Sequence, residues 1–401
     1  MNRIIIAGNG FDLAHGLKTC YKDFIEWYIM TWVEKNNRGN IPKGGDRLIE
    51  IELKNNIVNK LCLYFESGNK YLKYNVKTSK LIERILLSIR TKGWADIEAD
   101  YYAMLVERKG KKDELEKLNK DFAVIQGLLI EYLLSVQIAD IDNSYFKLIS
   151  ACLFAPFQAK DISVKAKDKW IDFLKRRFGD SDLIDNIKLY KPFDAKERVK
   201  RVHEFKNAYK DQIEFMGVES IGGDVLPHDM LYPDRIMFLN FNYTNTADFY
   251  FPDHPSFILN NIHGKLTKPE NVIFGYGDEL DSSFKKLQDM NDNECMRHIK
   301  SIRYLESDNY RRMLEFVESG PFQVVIMGHS CGLSDRTMLN TLFEHENCVS
   351  IKPYYYVNEQ GKDNYLDIVQ NISRNFTNPQ LMRDRVVNKT FCDPLPQVNK
   401  E

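Results

Sequence analysis

The chain has 401 residues, with 56 Lys and Arg against 57 Asp and Glu and a formal net charge of −1, which gives no global pull toward nucleic acid or an anionic membrane. Hydrophobic residues make up 43% and aromatic residues 12%, enough to core one large domain with insertions or two to three smaller ones. The seven cysteines are odd in number and form no CxxC pair, so neither a zinc site nor a disulfide framework is expected. No apolar run is long enough to span a bilayer and no signal-peptide order opens the chain, so a cytoplasmic protein without stable membrane or nucleic-acid binding is expected.

The chain opens on a short apolar run, Ile4 to Ala7, that breaks into Gly8-Asn9-Gly10-Phe11-Asp12, with a helical pattern from about Tyr21. Strand, glycine turn and helix in that order suit a phosphate, because backbone N–H groups and a helix N-terminus both favour an anion. The dinucleotide fingerprint is incomplete, since the next glycine is Gly16. From about 45 to 215 the pattern is mostly helical. Leu115, Leu118, Phe122, Ile125, Leu129, Tyr132 and Val136 step by threes and fours, the mark of a long helix packed in a hairpin. Further amphipathic runs fall at 47–66, 78–91 and 195–216, and Trp94-Ala-Asp-Ile-Glu98 opens another helix.

Strand signals return at Ile236–Asn240, Ser256–Ile262, Val272–Phe274 and Phe322–Met327; a helical pattern at Ser334–Glu346 and a strand at Cys348–Pro353 follow. Alternating strands and helices predict a doubly wound, mostly parallel α/β sheet of the Rossmann-like kind. Its parts are 1–45 and 216–401, and a helical insertion, a possible dimerisation surface, fills 46–215. In such sheets ligands bind at the carboxyl ends of the strands. Those ends carry Asn9, Asp12 and His15; Asn240, Asn242, Tyr243, Thr244 and Asn245; His263 and Gly264; Gly275 to Asp278; and Gly328, His329, Ser330 and Asp335. Turn chemistry alone explains each group singly, but together they predict one pocket. His263 is the candidate general base. Gly328-His-Ser-Cys-Gly332 has the form of a nucleophile elbow, but only His345 follows Ser330, which leaves a serine hydrolase without a well-placed base.

These motifs carry a resemblance. Ile5-Ile-Ala-Gly-Asn-Gly-Phe-Asp-Leu-Ala-His-Gly-Leu17 with Tyr21-Lys-Asp-Phe24 resembles the opening of the abortive-infection AbiH family. Trp94–Glu98, Phe241-Asn-Tyr-Thr-Asn-Thr246, Ile262-His-Gly264, Phe274-Gly-Tyr-Gly-Asp278, Gly328-His-Ser330 and Ser334-Asp335 fit the same family in order. The resemblance implies an antiphage protein with a phage-derived trigger.

The family is similar in turn to sirtuin-like NAD-binding domains, whose defence branch cleaves NAD. That similarity implies NAD as substrate or ligand and no metal. It makes His263 and Asn242 catalytic, and it makes Gly8, Asn9, Gly10, Phe11, Asp12, His15, Asn240, Thr244, Gly264, Gly328, Ser330 and Asp335 nucleotide-binding. Thr244 stands where the sirtuin pattern has Asp, and Asn9 where it has Ala. The missing zinc-binding cysteine quartet argues against deacetylation. The expected function is NAD hydrolysis to nicotinamide and ADP-ribose. A non-catalytic nucleotide sensor that signals to a partner is the alternative, and a serine hydrolase at Ser330 the next.

Overall fold

The structure is a computed structural model that describes residues 1–38, 43–53, 62–67, 70–93, 96–179, 182–190, 194–222, 225–251 and 253–398. The chain divides into two compact units. The first comprises Met1–Leu17, Ile138–Gly264 and Tyr304–Glu401, the second Lys18–Gln137 and Lys265–Arg303. This division differs from the expected one: residues 138–215 cluster with the parallel sheet, while 18–45 and 265–303 cluster with the segment that interrupts it.

The first unit is built on five strands, β1 (Asn2–Ala7), β6 (Ile236–Asn240), β7 (Phe257–Asn261), β8 (Phe322–Met327) and β9 (Cys348–Tyr354). Their order is β7-β6-β1-β8-β9, and all four pairings are parallel. Every residue of β1, β6, β8 and β9 is buried. That explains their largely apolar make-up, because a parallel sheet is covered on both faces; the polar residues among them are paired inside, Gln323 with Ser350 and Lys352 with Asp161. One face packs Ile5, Ala7, Phe238 and Val325 against Phe11, Tyr145, Ile149, Leu153 and Tyr250. β1 lies at the point where the strand order reverses, the position where open parallel sheets bind their ligands. The register levels the strand ends: Ala7 pairs with both Asn240 and Met327, and Asn240 with Asn261.

A first difference from expectation follows β1 directly. The chain enters helix α1 (Asn9–Ala14) with Gly8 as its N-cap, so the glycines do not form an open turn before the helix α2 (Tyr21–Arg38). A Cβ on Gly10 would lie 2.7 Å from the Gly328 carbonyl oxygen, and one on Gly328, at φ +74°, would lie 2.1 Å from the Phe11 nitrogen. Glycine is required here so that the chains leaving β1 and β8 can touch backbone to backbone.

The second unit contains the antiparallel sheet β2 (Lys43–Gly45), β3 (Ile49–Leu53), β4 (Cys62–Ser67) and β5 (Lys70–Thr78), ordered β2-β3-β5-β4. This overturns the helical reading of 47–66 at 49–53 and 62–66; its middle, 54–61, lies outside the described residues. Ile49 and Ile51 are buried while Glu50 and Glu52, which alternate with them, are not, a period of two that belongs to a strand. Helices α3 (Lys80–Lys92), α4 (Ile97–Glu107) and α5 (Lys112–Ser135) follow. In α5 the expected seam is buried at Leu115, Leu118, Phe122, Ile125, Leu129 and Tyr132.

Val272–Phe274, expected as a strand, is a buried irregular segment. The Gln126 amide donates to the Val272 carbonyl at 3.1 Å, and Phe274 stacks on Phe122 at 4.7 Å, so side chains of α5 do what a ladder partner would have done. Among the described residues, no helix is long and apolar enough to cross a membrane.

Candidate functional site

The levelled strand ends put four polar side chains at equivalent places. Asn9, Asn242, His263 and His329 each lie two residues beyond the last paired residue of β1, β6, β7 and β8. Two of them meet across one carboxylate. Asp335 Oδ1 lies 3.3 Å from His263 Nε2, and Asp335 Oδ2 lies 3.7 Å from His329 Nε2. All three side chains are buried. Phe241 sets its ring near-perpendicular to both imidazoles, with centroids at 5.1 Å and 4.3 Å. Tyr304 stacks parallel to His263 and brings its hydroxyl to 3.4 Å from Nε2, and the Ser334 hydroxyl donates to Asp335 Oδ2 at 3.4 Å. A carboxylate facing an imidazole fixes the ring and stabilises its protonated form, as a proton-accepting histidine requires.

Asn242 is held beside this cluster. Its side-chain amide donates to the Gly8 carbonyl at 3.0 Å, and its backbone N–H donates to Asn240 Oδ1 at 3.1 Å. The Asn240 amide in turn donates to Asn261 Oδ1 at 2.9 Å. Gly264 takes φ +87°, turning the chain directly after His263.

Asp12 and Thr244 form a second buried pair, the Thr244 hydroxyl donating to Asp12 Oδ2 at 2.6 Å. Asp12 Oδ1 has no partner among the described residues. Burial raises the Asp12 carboxyl to about 6, and the hydroxyls of Thr244 and Thr246 work against that rise.

Other expected nucleotide contacts lie in the core. Phe11 is fully buried and packs on Phe238 and Tyr250. His15 bridges the Phe11 carbonyl and the Tyr250 hydroxyl, both at 2.7 Å, and burial lowers it to about 4. A neutral ring that donates from Nδ1 and accepts at Nε2 fits both contacts, so His15 anchors α1. The glycine amides are likewise engaged, Gly10 N–H donating to Gly328 O at 2.7 Å and Gly8 N–H to Met327 O at 3.4 Å. Asn9 and Ser330 are exposed.

The nucleophile-elbow reading of Ser330 does not survive. The residue held in the left-handed region is Cys331, at φ +54°, and the main helix starts only at Arg336. His345 is engaged elsewhere, with Glu318 and the Asn347 amide.

Gly275–Asp278 were expected at a strand end. They belong instead to the second unit, where they meet the Asp96–Glu98 part of the Trp94–Glu98 motif. Asp96 caps α4 by accepting from the Ala99 N–H at 2.9 Å. Glu98 accepts from the Gly275 N–H at 3.0 Å and pairs with the Lys300 ammonium at 3.1 Å. Tyr276 stacks on Tyr102 at 4.1 Å. Trp94 and Ala95 lie outside the described residues.

The ordered strand-end motifs agree with a family comparison, in which the model described as bacteriophage abortive infection AbiH matches residues 4–356. The chain belongs to the AbiH family. Membership places it among proteins associated with abortive infection by bacteriophage. No curated protein and no solved structure matches the chain. Within this AbiH chain, sequence reasoning singled out His263 and Asn242; it gave Asp335 to the nucleotide, whereas the structure sets it against His263, and it assigned no role to Tyr304 or Phe241. Tyr304 stands in a helical segment without a motif, and Phe241 reads as the tail of a strand.

Proposed function

We propose that this AbiH protein hydrolyses NAD to nicotinamide and ADP-ribose in a sirtuin-like pocket at the carboxyl ends of β1, β6, β7 and β8. One observation carries the reading: Asp335, beyond β8, backs His263, beyond β7, so that the pair spans the carboxyl ends of the strands around the switch point at β1. Water attacks C1′ of the nicotinamide ribose as the C1′–N bond breaks. The bonding pair goes to the pyridinium nitrogen, and nicotinamide leaves neutral. The proton of the attacking water passes to His263, whose imidazolium is stabilised by Asp335. With its amide tied to Gly8, Asn242 offers its oxygen as an oriented acceptor for that water or a ribose hydroxyl. Because the glycine amides are engaged, Asn9 and Ser330, exposed at the same strand ends, serve the phosphate and adenosine side. Set off by a phage product, this reaction would deplete the host of NAD.

The test is nicotinamide release from NAD by the purified protein, with and without extract of phage-infected cells as the trigger, with phage plating alongside. The wild type releases nicotinamide, while His263→Ala and Asn242→Ala do not release it or protect. Retention of both properties by both variants would overturn the reading.

A non-catalytic nucleotide sensor is the second reading. It is favoured by the near-complete burial of His263, Asp335 and His329, which suits a site that closes on a ligand. Thermal stabilisation by NAD without product would select it.

A further inference from the structure

The two histidines that share Asp335 are not equivalent. His329 Nδ1 accepts the Cys331 N–H at 3.0 Å, so that nitrogen carries no proton. The single proton of the neutral ring is then on Nε2, which faces Asp335 Oδ2. A second proton at Nδ1 would break the turn that closes on it.

That turn is held from outside. Cys331 sits at φ +54°, an uncommon conformation for a side-chain-bearing residue that needs external support. Support comes from the region of helix Tyr365–Arg374. The buried Asn375 amide donates to the Cys331 carbonyl at 2.8 Å, and the Asn371 amide donates to the Ser330 carbonyl at 2.8 Å. The ring is also fitted against β1. A Cβ on Gly8 would come within 2.7 Å of both His329 Cα and its ring Cδ2.

We propose that His329 is a positioning residue, locked as the Nε2–H tautomer, that orients His263 by holding the second oxygen of Asp335. The assignment rests on His263 being the proton acceptor of the site. His329 points a fixed N–H at Oδ2 from 3.7 Å, a charge–dipole contact longer than a hydrogen bond that acts beside the Ser334 hydroxyl and favours the orientation with Oδ1 toward His263. A base and a fixed donor thus divide one carboxylate, and the division is set by the backbone turn at Cys331.

Two substitutions separate the parts of the lock. His329→Asn keeps an acceptor for the Cys331 N–H and loses the donor to Asp335. His329→Gln reaches Asp335 with an amide donor and loses the turn acceptor. The Asn variant should fold and melt like the wild type, yet lose about ten- to a hundredfold in kcat for nicotinamide release with KM held, the scale of a small misplacement of a catalytic group. The Gln variant should recover part of that kcat.

Nitrogen-15 NMR of histidine-labelled protein supplies a readout that needs no turnover. In the wild type, His329 should show a bare Nδ1 and a protonated Nε2, and the His263 resonances should move in the Asn variant. A protonated Nδ1 on His329 overturns the proposal. So does an Asn variant whose His263 resonances match the wild type. If the wild type releases no nicotinamide, the NAD reading fails, and the nitrogen spectra still decide whether His329 positions His263.

Discussion

Two buried carboxylates, one in each unit, carry opposite lessons. Glu98 faces Lys300, an ammonium held at 3.1 Å, and accepts a backbone N–H from Gly275. Its partners are a permanent cation and an amide, and neither changes state. Asp335 faces the imidazoles of His263 and His329, side chains able to take up or release a proton. The first arrangement fixes a loop, whereas the second responds to a proton. Both sit in motifs equally prominent in the sequence, so motif strength does not distinguish a structural carboxylate from a chemical one. The partner's chemistry does.

The largest effect expected from this contrast is in the second unit. Glu98→Ala removes the carboxylate that faces a buried ammonium and a backbone N–H. Breaking such a pair from one side costs about 3–5 kcal/mol. Denaturant unfolding should register that loss, and Glu98→Ala with Lys300→Met should recover most of it. A single variant as stable as the wild type would erase the distinction drawn above.

Asp335→Asn sharpens the comparison from the other side. The amide keeps the shape of the carboxylate but cannot stabilise an imidazolium. Nicotinamide release should fall by about a hundredfold while the melting temperature stays close to that of the wild type. A variant that unfolds with its activity intact per folded molecule would place Asp335 alongside Glu98 as a structural group.

Gly8→Ala tests whether the glycine serves the histidine rather than an anion. The new methyl would overlap His329 Cα and Cδ2 at 2.7 Å. The expected cost is about 1–3 kcal/mol, typical of an overpacked core, together with a shifted His329 resonance. An unshifted ring would mean that the strand ends can part freely.

Much of this architecture was legible because burial and period agree. Ile4–Ala7, Ile236–Leu239 and Val324–Met327 are continuous apolar runs, and each lies in a fully buried parallel strand. The α5 seam was legible for the same reason. Two elements misled. Val272–Phe274 is as apolar as a strand, but its carbonyl finds Gln126, a partner distant in sequence. The 47–66 run holds its alternation only at Ile49 and Ile51, too short a signal against a helical background. At the site, the strand-end rule named His263, Asn242 and Asp335. It could not separate them from Phe11 and His15, because which side of α1 faces the core depends on Tyr145 and Tyr250, from distant parts of the chain.

The smallest expected effect comes from α1 itself. Asp12 stands at about 6 against an ordinary 3.8, so between those values the folded protein binds more protons than the unfolded chain, and stability falls as pH rises. His15 stands at about 4 against an ordinary 6.5, so there the unfolded chain binds more protons, and stability rises with pH. The windows overlap between about pH 4 and 6, where each group contributes a slope of up to about 1.4 kcal/mol per pH unit with opposite sign. Their sum in the wild type is close to flat. Asp12→Asn should unmask the His15 slope, with urea midpoints climbing from pH 4.5 to 6.5. His15→Gln should unmask the Asp12 slope, with midpoints falling over the same range. If both variants kept the wild-type profile, α1 would open to solvent before the rest of the sheet unfolds. Its buried Asp12 and His15 would then belong to a locally mobile edge of the site rather than to its rigid floor.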